Sequence, residues 1–327
     1  MTRPATPAAR HTRRKGRRGE QPMVPDAEFT SYYDRPILKA SPWTADIPAY
    51  LFAGGLAGGS ALLGAGADLT DRPALRRAGR FGALGAITAS MYFLIHDLGR
   101  PSRFVNMLRV AKPTSPMSIG TWILSAFGPM AGIAAAGELK WLLPKPLRRL
   151  VGVTERPAGL AAAVVAPAVM SYTAALIADT ATPSWHEAYR ELPFVFVGSA
   201  CVASGGLGML ASPVDQAGPA RRMALAGAAL ELAAEHQMEQ SMGITSEPLH
   251  QGKPGMLLRA SKALTIGGAA GTLLARRSRI AGMVSGATLL SASACTRFAI
   301  FHAGQESARD PKYTVVPQRE RLAQRAR

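Results

Sequence analysis

Polar and apolar residues along most of this chain do not alternate; they come in blocks. Four stretches, Ile47–Ala67, Met117–Gly137, Pro157–Ala178 and Leu192–Val214, hold no Asp, Glu, Lys or Arg and run 21 to 23 residues each. That meets the roughly 20 residues a helix needs to cross the hydrocarbon core of a bilayer. A soluble helix keeps one polar face, and these runs keep none. Ile280–Thr296 adds a fifth uncharged run, of 17 residues. Three weaker runs fit the same spacing: Phe81–Ile95, Met223–Ala234 with Glu231 inside it, and Ala263–Ala275, preceded by Arg259 and Lys262. Together they predict an all-α integral membrane protein of eight transmembrane helices, with the charges of the weaker spans facing protein rather than lipid.

The fifth span opens as the first does. Ile47-Pro48-Ala49-Tyr50-Leu51-Phe52, followed by Gly58-Gly59, resembles Leu192-Pro193-Phe194-Val195-Phe196, followed by Gly205-Gly206. Four spans separate the two, so both enter from the same side, and the pattern predicts two four-helix bundles related by a weak internal repeat. The expected organisation is a basic N-terminal arm (residues 1–30), a membrane domain (31–305, halves 31–182 and 183–305) and a polar C-terminal tail (306–327).

Mean hydropathy is only +0.08 because both ends are charged; the net charge of +17 comes largely from loops and tails. Arg13-Arg14-Lys15-Gly16-Arg17-Arg18 is followed by no apolar stretch of the kind a signal peptide needs. This arm is expected to touch anionic lipid or a partner, not nucleic acid. Loops opposite the termini hold fourteen Lys or Arg against six on the terminus side, which places the termini outside the cytoplasm and the protein in the plasma membrane. Cys201 and Cys295 lie in separate apolar spans and cannot supply a four-thiolate cluster.

The chemistry gathers at span ends on the terminus side. Between the second and third spans lies His96-Asp97-Leu98-Gly99-Arg100-Pro101-Ser102-Arg103-Phe104, continuing through Arg109 to Lys112. Charges squeezed between apolar spans are costly unless needed, and a His–Asp pair at the membrane edge exchanges protons near neutral pH. The bland alternative is an Arg-rich loop pinned to headgroups. Tyr172 and Asp179, seven residues apart, share a helix face, where structural hydrogen bonding competes with ligand contact. Trp43 and Asp46 precede the first span; an interfacial belt suits Trp43 better than ligand contact. Glu231, Glu235 and Glu239, each four apart, face Arg259 and Lys262 of the next span, forming either an ion-pair network or a proton path.

The segment His96 to Phe104, with Met107-Leu108, resembles the hallmark loop of the NrfD/PsrC family of polysulfide-reductase-type membrane subunits. Ile47-Pro48 to Gly58-Gly59, Pro183-Ser184-Trp185-His186, and Phe301-His302-Ala303-Gly304 to Asp310-Pro311 support the resemblance, which reaches from about residue 31 to 320. The chain is similar to actinobacterial-type members associated with formate-dehydrogenase-like enzymes. The resemblance implies two four-helix bundles and no cofactor bound covalently or by metal ligation. It implies a non-autonomous subunit that exchanges electrons between menaquinone or ubiquinone and an iron–sulfur, ferredoxin-like partner, often carrying a molybdopterin-type catalytic subunit. Tyr172 matches the tyrosine that contacts quinone; His96 and Asp97 match the loop beside it, and Asp46 and Trp43 are further candidates. Arg100, Arg103 and Arg109 are expected to dock the partner. The competing readings are a proton or solute transporter and a passive membrane anchor.

Overall fold

The structure is a computed structural model and describes residues 36–39 and 41–325. The basic arm expected over residues 1–30, with Tyr32 and Tyr33 after it, lies outside the described residues. Helices α1 (Asp46–Leu69), α2 (Pro73–Asp97), α3 (Arg103–Leu108), α4 (Pro116–Glu138), α5 (Lys145–Ala178) and α6 (Pro183–Glu187) form the first part of the described chain. Helices α7 (Leu192–Ala211), α8 (Gly218–Ser241), α9 (Glu247–His250), α10 (Gly252–Leu274), α11 (Arg279–Arg309) and α12 (Lys312–Arg325) form the second; no strand occurs among the described residues. Six helices, α1, α2, α4, α5, α7 and α11, are long and apolar enough to cross a membrane. Helices α8 and α10 match them in length, at 24 and 23 residues, but carry Glu231, Glu235 and Glu239, and Lys253, Arg259 and Lys262.

Prolines start these helices where a missing N–H does no harm: Pro73, Pro116, Pro183 and Pro193 all stand in first turns. Ser115 caps α4 by accepting from the backbone N–H of Ser118, and Ser278 caps α11 by accepting from that of Ala281. Gly99, at φ +67°, lets the chain leave α2 in a left-handed turn that a side chain would strain. The motif after it folds as the short helix α3 and returns to α4.

Helix α1 packs against α2, α5 and α7. Its face toward α7 is built from glycine. A Cβ on Gly55 would sit 3.3 Å from the Cβ of Ala200, and one on Gly59 would sit 2.9 Å from the Ala200 carbonyl oxygen. Small residues at this spacing allow the backbones to approach closely.

Two expectations need correction. Arg76, Arg77 and Arg80 belong to α2 rather than to a loop, because carboxylates from other helices meet them. Arg80 is 6% exposed and reaches Glu138 at 3.0 Å, Asp68 at 3.7 Å and Glu155 at 3.7 Å. Arg76 holds Glu138 through both oxygens, at 2.7 and 3.3 Å, a fork geometry that ties α2 to α4 at the end of α2 away from His96. The second correction concerns the C-terminal tail. It is helical, as α11 runs to Arg309 and α12 follows. Tyr313 is buried at 5% exposure, and Lys312 bonds Glu247 at 2.7 Å.

Candidate functional site

A cavity of about 60 Å³ opens where α1, α2, α4 and α5 meet residues 96–109. That is several times the space one water needs. Its walls include Trp43, Tyr50, Asp97, Met107, Met117 and Tyr172. The Tyr50 and Tyr172 hydroxyls hydrogen-bond each other inside it, with both side chains buried. The Tyr172 ring lies against α4 because residue 120 is glycine: a Cβ there would come within 2.5 Å of the ring carbon Cε2.

Beside the cavity, the start of α1 and the end of α2 join acid to base. His96 Nδ1 lies 2.6 Å from Asp46 Oδ2. Thr44 links the two acids: its hydroxyl is 2.9 Å from Asp97 Oδ1 and 3.2 Å from Asp46 Oδ2, donating to one at a time, and its backbone N–H donates to Asp97 at 3.1 Å. The His96 ring stacks on Tyr92, with centroids 5.8 Å apart. Its side chain is 63% exposed, against 23% for Asp46, so the pair reaches from the cavity's edge to the surface.

Of the six residues expected to meet quinone, Trp43, Asp97 and Tyr172 line the cavity, and Asp46 and His96 form the adjoining pair. Asp179 does not join them. Helix α5 ends at Ala178, so Asp179 is its exposed cap and lies outside the cavity wall. Tyr50 and Thr44 are site residues that the sequence reasoning missed. A tyrosine inside an uncharged run needs a hydrogen-bond partner, and that signal pointed to Tyr50 as much as to Tyr172.

Trp43 is held from the second half of the chain. It stacks on Trp185 with centroids 5.7 Å apart, and its carbonyl accepts from Gln305 Nε2 at 3.0 Å. Trp185 is itself fixed: it is 1% exposed, donates to the Ile300 carbonyl at 2.8 Å and packs on Phe301. The neighbouring His186 lies 3.1 Å from the Ala178 carbonyl through Nδ1. These contacts make the Pro183–Glu187 helix a structural seat for Trp43.

Arg100, Arg103 and Arg109 are exposed on the hairpin around α3, and Arg103 donates to the Leu98 carbonyl at 3.0 Å. Of the α8 acids, Glu239 pairs with Lys262 at 2.6 Å, whereas exposed Arg259 donates to the His250 carbonyl at 3.3 Å rather than to a carboxylate. Glu231 and Glu235 are each 1% exposed. Glu231 accepts from Thr296 at 2.7 Å, and neither oxygen of Glu235 has a partner among the described residues. Arg297, buried and stacked 3.7 Å over the Phe196 ring, donates to the Phe196 carbonyl at 2.6 Å.

Long apolar helices around a small hydroxyl-lined cavity, with an acid–imidazole pair at its edge, define a multi-pass membrane protein with a partly polar cavity at one end of the helices. The chain matches the model of the family described as polysulphide reductase, NrfD, over residues 38–217, and it belongs to that family. The matched stretch contains every residue of the cavity wall. No curated protein matches the chain.

Proposed function

We propose that this protein is the quinone-reactive membrane subunit of a respiratory oxidoreductase complex, with the quinone head in the Tyr50–Tyr172 cavity. The observation that carries the reading is the pair of buried hydroxyls facing a cavity whose other walls are mainly apolar. Converting a quinol to a quinone releases two electrons and two protons. The hydroxyls of Tyr50 and Tyr172 orient the ring oxygens. Asp97, Thr44, Asp46 and His96 carry the protons to the surface, an arrangement suited to general acid–base transfer. The electrons pass to an iron–sulfur, ferredoxin-like partner that bears a molybdopterin-type catalytic subunit. Arg100, Arg103 and Arg109, exposed beside the cavity mouth, dock that partner. Menaquinone or ubiquinone is an exchangeable substrate on this reading.

The same reading takes α8 and α10 across the bilayer with the six apolar helices, giving two four-helix bundles in halves 31–182 and 183–305. Three spacings support the repeat: Pro48 and Pro193, Gly55 and Ala200, and Gly59 and Ser204 are each 145 residues apart, and the last two pairs meet at the α1–α7 crossing. The termini lie on the extracytoplasmic side of the plasma membrane. Glu231, Glu235, Glu239, Arg259 and Lys262 serve a proton path in the second half; the unpartnered oxygens of Glu235 favour this over a purely structural network.

Quinol oxidation by the purified complex tests the site. Tyr172→Phe is expected to abolish most of the rate, and a wild-type rate would sink the assignment. Solute uptake into liposomes by the isolated chain would instead support a transporter.

A further inference from the structure

The face of α4 opposite the tyrosine cavity bears a second concavity, of about 440 Å³. Ile119, Trp122, Ile123 and Val165 form its apolar wall, and Lys112 and Pro113 stand at its rim. Ile119 is 41% and Trp122 47% exposed, on a helix that crosses the membrane. The rim is fastened to the first turns of α4. The Val110 carbonyl accepts from Ser118 Oγ at 2.8 Å and from Trp122 Nε1 at 3.2 Å, and the Lys112 N–H donates to Ser118 Oγ at 2.9 Å.

The groove is therefore an apolar channel with an exposed lysine, on a tethered backbone, at one end. No Asp or Glu occurs between Asp97 and Glu138, so Arg100, Arg103, Arg109 and Lys112 make this hairpin purely cationic. We propose that the groove binds an anionic glycerophospholipid, with one acyl chain along Ile119, Trp122 and Ile123 and the phosphate against Lys112. Apolar surface buried by the chain supplies the main attraction, and the lysine adds a preference for negative headgroups. An isoprenoid tail would suit the wall but has no charge for Lys112. The bound lipid braces the hairpin that carries Leu98 and Met107, two walls of the tyrosine cavity. This inference needs α4 to cross the membrane and does not depend on what the tyrosine cavity binds.

The test uses the full chain purified in detergent and phosphatidylglycerol with a photoreactive acyl chain, with the phosphatidylcholine analogue as control. Adducts are mapped by mass spectrometry. The expected result is preferential labelling of residues 119–126 by the glycerol lipid. Lys112→Glu should lower that labelling roughly fivefold, the worth of one lysine against an anionic surface. Ala126→Trp, which fills the groove from an exposed position, should remove labelling by both lipids. Equal labelling by the two lipids in the wild type, or labelling unmoved by Lys112→Glu, overturns the proposal. So does displacement of the label by a quinone with an isoprenoid tail. Lys112 is exposed and outside the helices, so its substitution decides the matter even if Ala126→Trp misfolds.

Discussion

Helix α1 opens Ile47-Pro48-Ala49-Tyr50 and α7 opens Leu192-Pro193-Phe194-Val195, so where the first presents a phenol the second presents two methyl groups. In the first half that phenol meets Tyr172 across a cavity, and Gly120 leaves the space for the ring. In the second half Val195 is fully buried in apolar packing. That half also buries the ionisable Glu231, Glu235 and Arg297, beside hydroxyl pairs such as Ser199 with Ser293 and Ser261 with Thr296. Neutral hydroxyls survive burial on one hydrogen bond each and can exchange it for a ligand. Buried charges cannot, because losing a partner strands the other. Helices that open alike thus stand beside a hydroxyl-lined cavity in one half and beside buried ionisable side chains in the other.

The sharpest way to break this comparison is to remove a charge from the closed half. Glu231 is 1% exposed, and its Oε1 accepts from the Thr296 hydroxyl at 2.7 Å. Glu231→Ala should destabilise the protein by about 1–3 kcal/mol, as expected when a buried acceptor is deleted and its donor is left unsatisfied. Glu231→Gln, which keeps an acceptor for Thr296, should cost less. Thermal unfolding in detergent measures both, and a Glu231→Ala protein as stable as wild type would show that the second half is not held by its charges.

The next effect belongs to the open half. Tyr172→Phe removes a hydroxyl without changing shape and should lower quinol oxidation by about a hundredfold, the lower end of what removing one positioned hydrogen-bond donor costs. Tyr50→Phe should cost nearly as much. Because the two share one hydrogen bond, the double variant should lose far less than the product of the single losses. Independent losses would mean that the tyrosines do not act as a unit.

A smaller effect tests whether the halves are separable. Trp43 walls the cavity of the first half but is seated by Trp185 and Gln305 of the second. Trp185→Phe keeps a ring and loses the bond to the Ile300 carbonyl. It should raise KM for quinol about fivefold with little change in kcat, in line with about 1 kcal/mol for an aromatic pair. A change in kcat alone would assign Trp185 to folding rather than to the wall.

Much of this was legible in the sequence because membrane spans announce themselves by what they lack. The uncharged runs correspond to helices, and the loop motif marks one wall of the cavity. What was hidden is pairing across helices. Phe81 looked like the start of a span only because Arg76, Arg77 and Arg80 precede it; Glu138 and Asp68, far away in sequence, make those charges admissible inside α2. Asp179 looked like a partner for Tyr172 because periodicity assumes that the helix continues, and it stops at Ala178. Thr44 carries no pattern at all; only the approach of α2 to the start of α1 gives its hydroxyl two acids to bridge. The tail reads as a polar end because α12 is polar over most of its length, yet Tyr313 is buried and anchors it.

That anchor supplies the mildest test, since α12 covers the terminus side of the second half by packing on α6 and α11, while Leu98 and Met107 of the cationic hairpin border the cavity of the first half. The hydrogen bond from Lys312 holds the Glu247 carboxyl below its ordinary range, and the same bond raises Lys312. A depressed carboxylate contributes stability above its unfolded value, about 4.3, and loses it as pH falls through the lower folded value. The raised lysine contributes below about 10.4 and loses its share only in stronger base. Across the neutral range the contact is therefore constant, and it weakens in acid below about pH 4. Hydrogen exchange in α12, corrected for intrinsic rates, should rise modestly there while that in α1 stays unchanged. Glu247→Gln should show the loosened exchange already at pH 7. Equal protection of α12 in wild type and Glu247→Gln at neutral pH would mean that the contact of Lys312 with Glu247 does not hold the strap, leaving that role to buried Tyr313 and the pair of Arg321 with Glu187 at 3.5 Å.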